Sequence, residues 1–308
     1  MAPRGSAPED MAGPDSAFDV IAVFGPTASG KTDVANALAD ALGTEVVSAD
    51  SMQAYQGLPI LTAQPARATH LVAIWPLSHE GTVGEYQRLA HDAIDELVER
   101  CRIAVVAGGT GLYLRAALAD LQLPPAPPVG ARERWEAVYD TDPDAAHAEL
   151  RRLDPVAAEA VHTNDRRRVV RALEVAEAGW SLVAGADRLW AKDTRRPTLV
   201  TGLDVPPAEL GRRIENRTEA MFRSGAVAEV RGALGSGPVS RTAEKALGLH
   251  AIATLPPEDA KTRLIERTVR YAAYQRKWMR RIPGIVMIDA DRPADEVVDA
   301  ILEVARTR

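Results

Sequence analysis

The chain has 308 residues, 46% of them apolar and 26% charged, with a formal net charge of −6 at pH 7. That suits a globular protein with a proper core; no apolar run approaches the ~20 residues needed to span a bilayer, and the single cysteine, Cys101, can form neither an internal disulfide nor half of a zinc site. The net charge disfavours a polyanionic partner only in total. Basic residues bunch at Arg166-Arg167-Arg168 with Arg171, at Arg212-Arg213 with Arg217, and from Lys261 to Arg281, and an acidic protein with segregated basic stripes can still bind a polyanion.

Met1 to Ala17, rich in Ala, Pro, Gly and Ser, is expected to be a disordered tail without the apolar stretch of a signal peptide. Val20 to Phe24 then reads as a buried parallel strand. It runs into Gly25-Pro26-Thr27-Ala28-Ser29-Gly30-Lys31-Thr32, the full G-x-x-x-x-G-K-T phosphate-binding loop, and an Ala- and Leu-rich helix follows from Asp33 to Leu42. Strand, glycine loop and helix are the context this motif needs: loop amides and the helix N-terminus favour an anion, Lys31 adds a point charge, and the Thr32 hydroxyl can hold Mg²⁺. A phosphate or diphosphate is therefore expected here.

Glu45 to Gln53 predicts a short strand ending in a polar cluster around Asp50. Ligands in open α/β sheets gather at the carboxyl ends of strands, so Asp50 either faces the loop or serves as a cap or turn residue. Residues 54–80 read as loop with one strand at His70 to Trp75, and Val83 to Arg100 as a helix. Ile103 to Ala107 reads as a buried strand, with Cys101 a small core residue at its start and a reducing, intracellular setting implied. Gly108-Gly109-Thr110-Gly111 after it is either a close backbone approach to a ligand or a plain strand-to-helix turn. An ATPase usually ends this strand in a Mg²⁺-binding Asp; here the position is glycine.

Pro124 to Pro128 marks a domain boundary, and Gly130 to about Trp190 is helical, with Asp142-Pro143 and Asp154-Pro155 reading as helix starts. Arg196 to Leu203 returns to strand. Pro207 to Arg231 reads as one long helix, Lys261 to Arg281 as another, and Ile285 to Asp289 as a late strand. The expected fold is α/β: a P-loop parallel sheet flanked by helices, formed by 18–123 and 196–308, with an all-helical insertion at 124–195.

Several stretches line up in one order: GPTASGKT at Gly25 to Thr32, DSMQAY at Asp50 to Tyr55 followed by Thr62-Ala63, GGTGLYLR at Gly108 to Arg115, HTNDRRRVVRALE at His162 to Glu174, RIENRTEAMFRSGAVAEVR at Arg213 to Arg231, KALGLHAI at Lys245 to Ile252, and a basic helix carrying Gln275, Trp278 and Arg280. As a set, over roughly residues 20–290, they resemble the tRNA dimethylallyltransferase (tRNA isopentenyltransferase) family.

The resemblance implies transfer of a dimethylallyl group from dimethylallyl diphosphate to N6 of an adenine beside the anticodon of tRNA, position 37, with release of diphosphate. It implies that Gly25, Pro26, Thr27, Ala28, Ser29, Gly30, Lys31 and Thr32 hold the prenyl diphosphate, with Mg²⁺ at Thr32. Arg217 meets the diphosphate and Asp50 is the general base. Contacts with tRNA are implied at Asp50, Ser51, Met52 and Gln53, at Thr110, and at Arg167, Arg168, Val169, Val170 and Arg171. A cytoplasmic monomer with no membrane association is expected.

From the residues alone, Arg217 also reads as a surface arginine paired with Glu215 or Glu219. The arginine run at 166–171, opposed only by Asp165, favours phosphate contact over a solvated helix face. The chain departs from the family at Gln64, where lysine is usual, and at Leu249-His250, where Tyr-Lys is usual. The rival readings are prenylation of free AMP, ADP or ATP, a small-molecule P-loop kinase, and a non-catalytic RNA-binding relative.

Overall fold

The computed structural model describes residues 17–125, 127–183 and 191–308. Apart from Ala17, the expected N-terminal tail lies outside the described residues, as does the last stretch of the expected helical segment before Trp190. The described chain divides into two compact units. One is built from residues up to Ala119 together with Lys192–Arg308, the other from Asp120–Ala191.

The first unit opens with β1 (Val20–Phe24), α1 (Lys31–Leu42), β2 (Val46–Ser48), α2 (Val83–Cys101), β3 (Ala104–Gly108) and α3 (Gly111–Leu118). The second unit holds α4 (Ala131–Thr141), α5 (Pro143–Leu153), α6 (Pro155–Ala160) and α7 (Arg166–Glu177). The first unit then resumes with β4 (Thr198–Asp204), α8 (Pro207–Arg223), α9 (Ala226–Gly235), α10 (Leu249–Thr254), α11 (Pro257–Met279), β5 (Val286–Asp289) and α12 (Ala294–Thr307).

The five strands form one parallel sheet in the order β2-β3-β1-β4-β5. Every residue of β1 is buried, as its unbroken apolar run requires of a central strand with both faces covered. Ile21 and Val23 pack with Leu38 of α1, Val105, Leu203 and Ile301 of α12. In register, Phe24 sits opposite Gly108 on one side and Gly202 on the other. The loops after β1 and β3 therefore leave the sheet side by side, at its carboxyl edge. A second cluster of Leu61, Met221, Val230, Leu249, Ile252 and Leu264 packs α8 to α11 together.

Four expectations about elements need correction. Cys101 ends α2 and is half-buried, because the helix runs to it before Arg102 caps the turn with φ 68°. His70 to Trp75 is not a strand: Leu71 and Ala73 have φ of 64° and 52°, which break an extended run and leave only isolated bridges at His70 and Trp75. The single helix expected over Pro207 to Arg231 is two, α8 and α9, separated at Gly225, whose φ is 99°. The basic helix starts at Pro257, its first helical position, ahead of Lys261.

In the helical unit, Asp142 and Asp154 cap α5 and α6 with a proline at the first helical position of each. Its core is built from Tyr139, Leu150, Val161, Val169, Val170 and Leu173. The side chains of Val169 and Val170 are thus inside that core and not available to a nucleic acid, which corrects their expected role. Amphipathic spacing in α7 puts its valines inward and Arg167 and Arg168 outward.

Candidate active site

The P-loop curls off β1 as its sequence demands. Ser29 N–H donates to the Pro26 carbonyl (3.2 Å), Ala28 takes φ 67° and Gly30 φ 83° as N-cap of α1. Lys31 Nζ reaches back to the Pro26 carbonyl (3.2 Å). Burial lowers the Lys31 pKa to about 8, with Arg217 pushing the same way and Asp50 opposing.

Asp50 follows β2. Its Oδ1 accepts from Met52 N–H (3.0 Å), an Asx turn, and no other hydrogen bond to it is found among the described residues. Both readings of Asp50 hold together: it is a turn residue, and it lines a pocket with Lys31 and Thr32 of the P-loop. Its charge is also felt across the site. It adds to the burial that raises the pKa of Tyr86, Tyr113 and Tyr271, the last to about 12, and it partly offsets the burial that lowers the pKa of Arg217.

Arg217 settles against its surface reading. No ion pair to it is found among the described residues, and its Nε is buried with no hydrogen-bond partner. The other buried polar atom of the loop region without a partner is Ser29 Oγ. A guanidinium with a buried, unpartnered Nε and no acid paired to it is costly in a finished site, so the arrangement suits an anion between Arg217 and the loop. A cavity of about 300 Å³ lies there, lined by Thr27, Asp50, Arg217, Lys245 and Tyr271 on its polar side and by Met221, Leu247 and Leu264 on its apolar side. A lining that combines cations with thioether and leucine side chains fits a molecule with a charged head and a short hydrocarbon tail.

Thr32 is exposed and shares a smaller pocket with Lys31, Ser48 and Asp50. No group of three or more His, Cys, Asp or Glu is placed to hold a metal among the described residues. One hydroxyl and one carboxylate suit Mg²⁺, which keeps waters and substrate oxygens as its remaining ligands.

The 50–53 segment is held rather than free. Gln53 accepts from Ser48 Oγ (2.9 Å) and donates to the Ala63 carbonyl (2.9 Å), so its side chain braces the loop. Gln64 donates to the carbonyls of Tyr55 (2.6 Å) and Gln53 (3.1 Å); the residue that departs from the family keeps a local bracing role. Leu249 is core and His250 is exposed. Thr110 Oγ1 accepts weakly from Ser51 N–H (3.5 Å), which brings two expected tRNA-facing stretches together.

The glycine turn after β3 has a different cause from ligand approach. A Cβ on Gly108 would lie 2.1 Å from the Ala49 carbonyl oxygen, on Gly109 2.3 Å from Gln275 Nε2, and on Gly111 2.2 Å from the Trp278 ring. The glycines make room for the chain after β2 and for α11. Leu264, Thr268, Tyr271 and Gln275 form one stripe of α11 at i, i+4, i+7 and i+11. That stripe was legible as a period; its partners were not.

In the helical unit, Arg166 forms a bidentate pair with Asp140 (2.7 Å each), and Arg171 pairs with the buried Glu174 (3.1 Å), which Arg132 also meets (3.5 Å). These acids correct the reading of an unopposed run. Arg171 neutralises a core carboxylate. Arg167 and Arg168 remain outward, Arg168 only loosely paired with Asp165 (3.7 Å).

A family model described as IPP transferase matches residues 53–282, and one described as isopentenyl transferase matches residues 18–74. The chain belongs to the IPP transferase family. A protein of Acidothermus cellulolyticus named tRNA dimethylallyltransferase is 39% identical over 94% of this chain and 92% of its own. One of the same name from Salinispora tropica is 40% identical over 89% of each chain. The crystal structure of the full-length tRNA isopentenylpyrophosphate transferase from Bacillus halodurans superposes with a TM-score of 0.66 at 30% identity, covering 94% of this chain and 95% of that one. A eukaryotic dimethylallyltransferase acting on tRNA shares the fold, with a TM-score of 0.75 at 24% identity over 94% and 80%. Family membership makes the chain a prenyl-transferring, tRNA-modifying enzyme. Among the described residues no helix is long and apolar enough to cross a membrane.

Proposed function

We propose that the protein transfers a dimethylallyl group from dimethylallyl diphosphate to N6 of adenine 37 in tRNA, releasing diphosphate. The observation that carries the reading is Arg217, whose Nε is buried with no partner among the described residues, in a cavity that Asp50 of the β2 end and Thr27 of the P-loop also line. Attack at the allylic carbon expels diphosphate, so the site must stabilise negative charge as it develops. Lys31, Arg217 and the P-loop amides supply that. Bound through the Thr32 hydroxyl, Mg²⁺ would add charge neutralisation on the leaving diphosphate.

The adenine N6 is a weak nucleophile because its lone pair is delocalised into the ring. Asp50 hydrogen-bonds that amine and accepts its proton, while the Asx turn through its other oxygen keeps the carboxylate in place. The adenine must leave its stack to reach the cavity. Ser51, Met52 and Thr110 meet the acceptor side, and Arg167 and Arg168 supply phosphate contacts.

The test is incubation of an anticodon stem-loop with dimethylallyl diphosphate and Mg²⁺, followed by nucleoside mass spectrometry. An N6-prenyl adenosine at position 37 is expected. Product on free AMP with none on the stem-loop would replace the tRNA acceptor by a nucleotide.

A further inference from the structure

Gln275 is 2% exposed, deep in a helix otherwise rich in cations. Its Oε1 accepts the backbone N–H of Thr27 in the P-loop (2.8 Å), and its Nε2 donates to the backbone carbonyl of Gly109 in the turn after β3 (2.8 Å). The two partners fix the amide's orientation, because one can only donate and the other can only accept. One side chain thus ties together two loops that leave adjacent strands, 248 and 166 residues away in sequence.

Both loops face the cavity region. Thr27 lines the cavity. Gly109 precedes Thr110, which bonds Ser51 N–H and the Tyr271 side chain. Among the described residues, the other backbone bond between loop and turn is Gly25 N–H to the Gly108 carbonyl (3.3 Å), at the sheet edge. Beyond it, Gln275 is what holds the outer loop to the turn. Even the glycine at 109 is explained by it, since a Cβ there would overlap the amide.

We propose that Gln275 is a positioning residue for the prenyl-transfer reaction: its amide fixes the outer P-loop against the β3 turn so that the remaining loop amides are set for the donor's diphosphate. This rests on the reading of the loop as the donor site. Gln275 touches no reacting atom; it acts through Thr27 and Gly109.

Two substitutions separate this from simple packing. Gln275→Met keeps the shape and removes both hydrogen bonds. Gln275→Glu is conditional: the neutral carboxyl accepts from Thr27 N–H and donates to the Gly109 carbonyl, restoring the native pattern, whereas the carboxylate cannot donate and sets charge against that carbonyl. Burial raises a carboxyl pKa, so the switch falls in an accessible range. Lys31, Asp50, Arg217 and Tyr271 line or adjoin the same region and are common to all the proteins, so ratios to wild type at each pH cancel their titration.

Binding of inorganic diphosphate with Mg²⁺ is measured by calorimetry, and kcat and KM for dimethylallyl diphosphate by initial rates, at pH 6.5 and 8.5. Gln275→Met is expected to bind diphosphate at least tenfold more weakly at both values, with KM for the donor raised more than KM for the stem-loop. Gln275→Glu should match that loss at pH 8.5 and recover at least severalfold toward wild type at pH 6.5, which also shows that the variant folds. Wild-type-like diphosphate binding by Gln275→Met, or a ratio for Gln275→Glu that does not change with pH, overturns the proposal. No binding by the wild-type protein removes the reading of the loop itself, and this proposal with it.

Discussion

The acid-paired arginines of the helical unit and the cations around the cavity of the catalytic unit live under opposite rules. In the helical unit, Arg166 meets Asp140 and Arg171 meets Glu174. In the catalytic unit, Arg217 lines the cavity and Lys31 lines the smaller pocket beside it; Asp50 is the one carboxylate lining either among the described residues, and both cations have pKa values lowered chiefly by burial. A buried pair is self-sufficient, while a buried cation short of acids is complete only with a ligand. The difference teaches where to look for binding: in the unmatched charge, not in the densest one.

The largest effect that would break this comparison comes from the unmatched cations. Lys31→Ala is expected to abolish prenyl transfer and donor binding. Arg217→Ala should lower kcat by about 10²–10³, the usual cost of losing one donor to developing negative charge. Single-turnover prenylation of a stem-loop measures both. A rate within a few-fold of wild type would place Arg217 among the structural arginines.

Asp50→Asn comes next. Asparagine keeps an oxygen for Met52 N–H, so the Asx turn survives, but it cannot take the N6 proton. Turnover with both substrates saturating should fall roughly 10²–10⁴-fold with the melting temperature unchanged. Near-wild-type rates would leave Asp50 with the turn alone.

Lys31 also carries a pH signature. With its pKa near 8 in the free protein, its charge is lost as pH rises through that value, and kcat/KM for the donor should drop up to about tenfold per unit above it. Bound diphosphate favours the ammonium, so the limb in kcat lies at higher pH. Lys31→Arg, always charged, should lack the limb while being slower overall. For stability the sign is opposite. The unfolded lysine, near 10.5, binds its proton more tightly than the folded one, so this group's contribution to stability rises with pH between about 8 and 10.5.

How much of this could be read from residues alone depends on distance along the chain. The P-loop is eight contiguous residues between a strand and a helix, and the caps at Asp142 and Asp154 lie next to their prolines; such signals are local and survive folding intact. Arg217 was open because its i±2 glutamates are visible in sequence and its burial is not. The run at 166–171 misled for the converse reason: Asp140, the acid that neutralises Arg166, comes from another helix. Gln275 could be named but not assigned, since its meaning lies in Thr27 and Gly109. The break at Gly225 was available, as a glycine within a helical pattern, and marks the left-handed residue between α8 and α9.

The smallest expected effects sharpen the other side of the comparison, within the helical unit itself. Arg171→Ala leaves the buried Glu174 with only Arg132 at 3.5 Å, and should cost about 1–3 kcal/mol of stability, read as a lowered melting temperature. Arg167→Ala and Arg168→Ala uncover no buried acid, since Asp165 beside Arg168 is only half-buried and 3.7 Å away, and should leave melting nearly unchanged. If these outward arginines meet phosphates, each substitution releases fewer counterions on tRNA binding, and the slope of log affinity against log salt should become shallower by roughly 0.7–0.9 for each phosphate no longer neutralised. Donor binding should not move, because neither residue lines the cavity. The two outcomes are thus crossed: Arg171 moves melting more than the salt slope, Arg167 and Arg168 the salt slope alone. An unchanged slope in a titration of stem-loop against the double variant would return Arg167 and Arg168 to a solvated helix face, and acceptor binding would then have to rest on Asp50 to Gln53, Thr110 and the cations of α11.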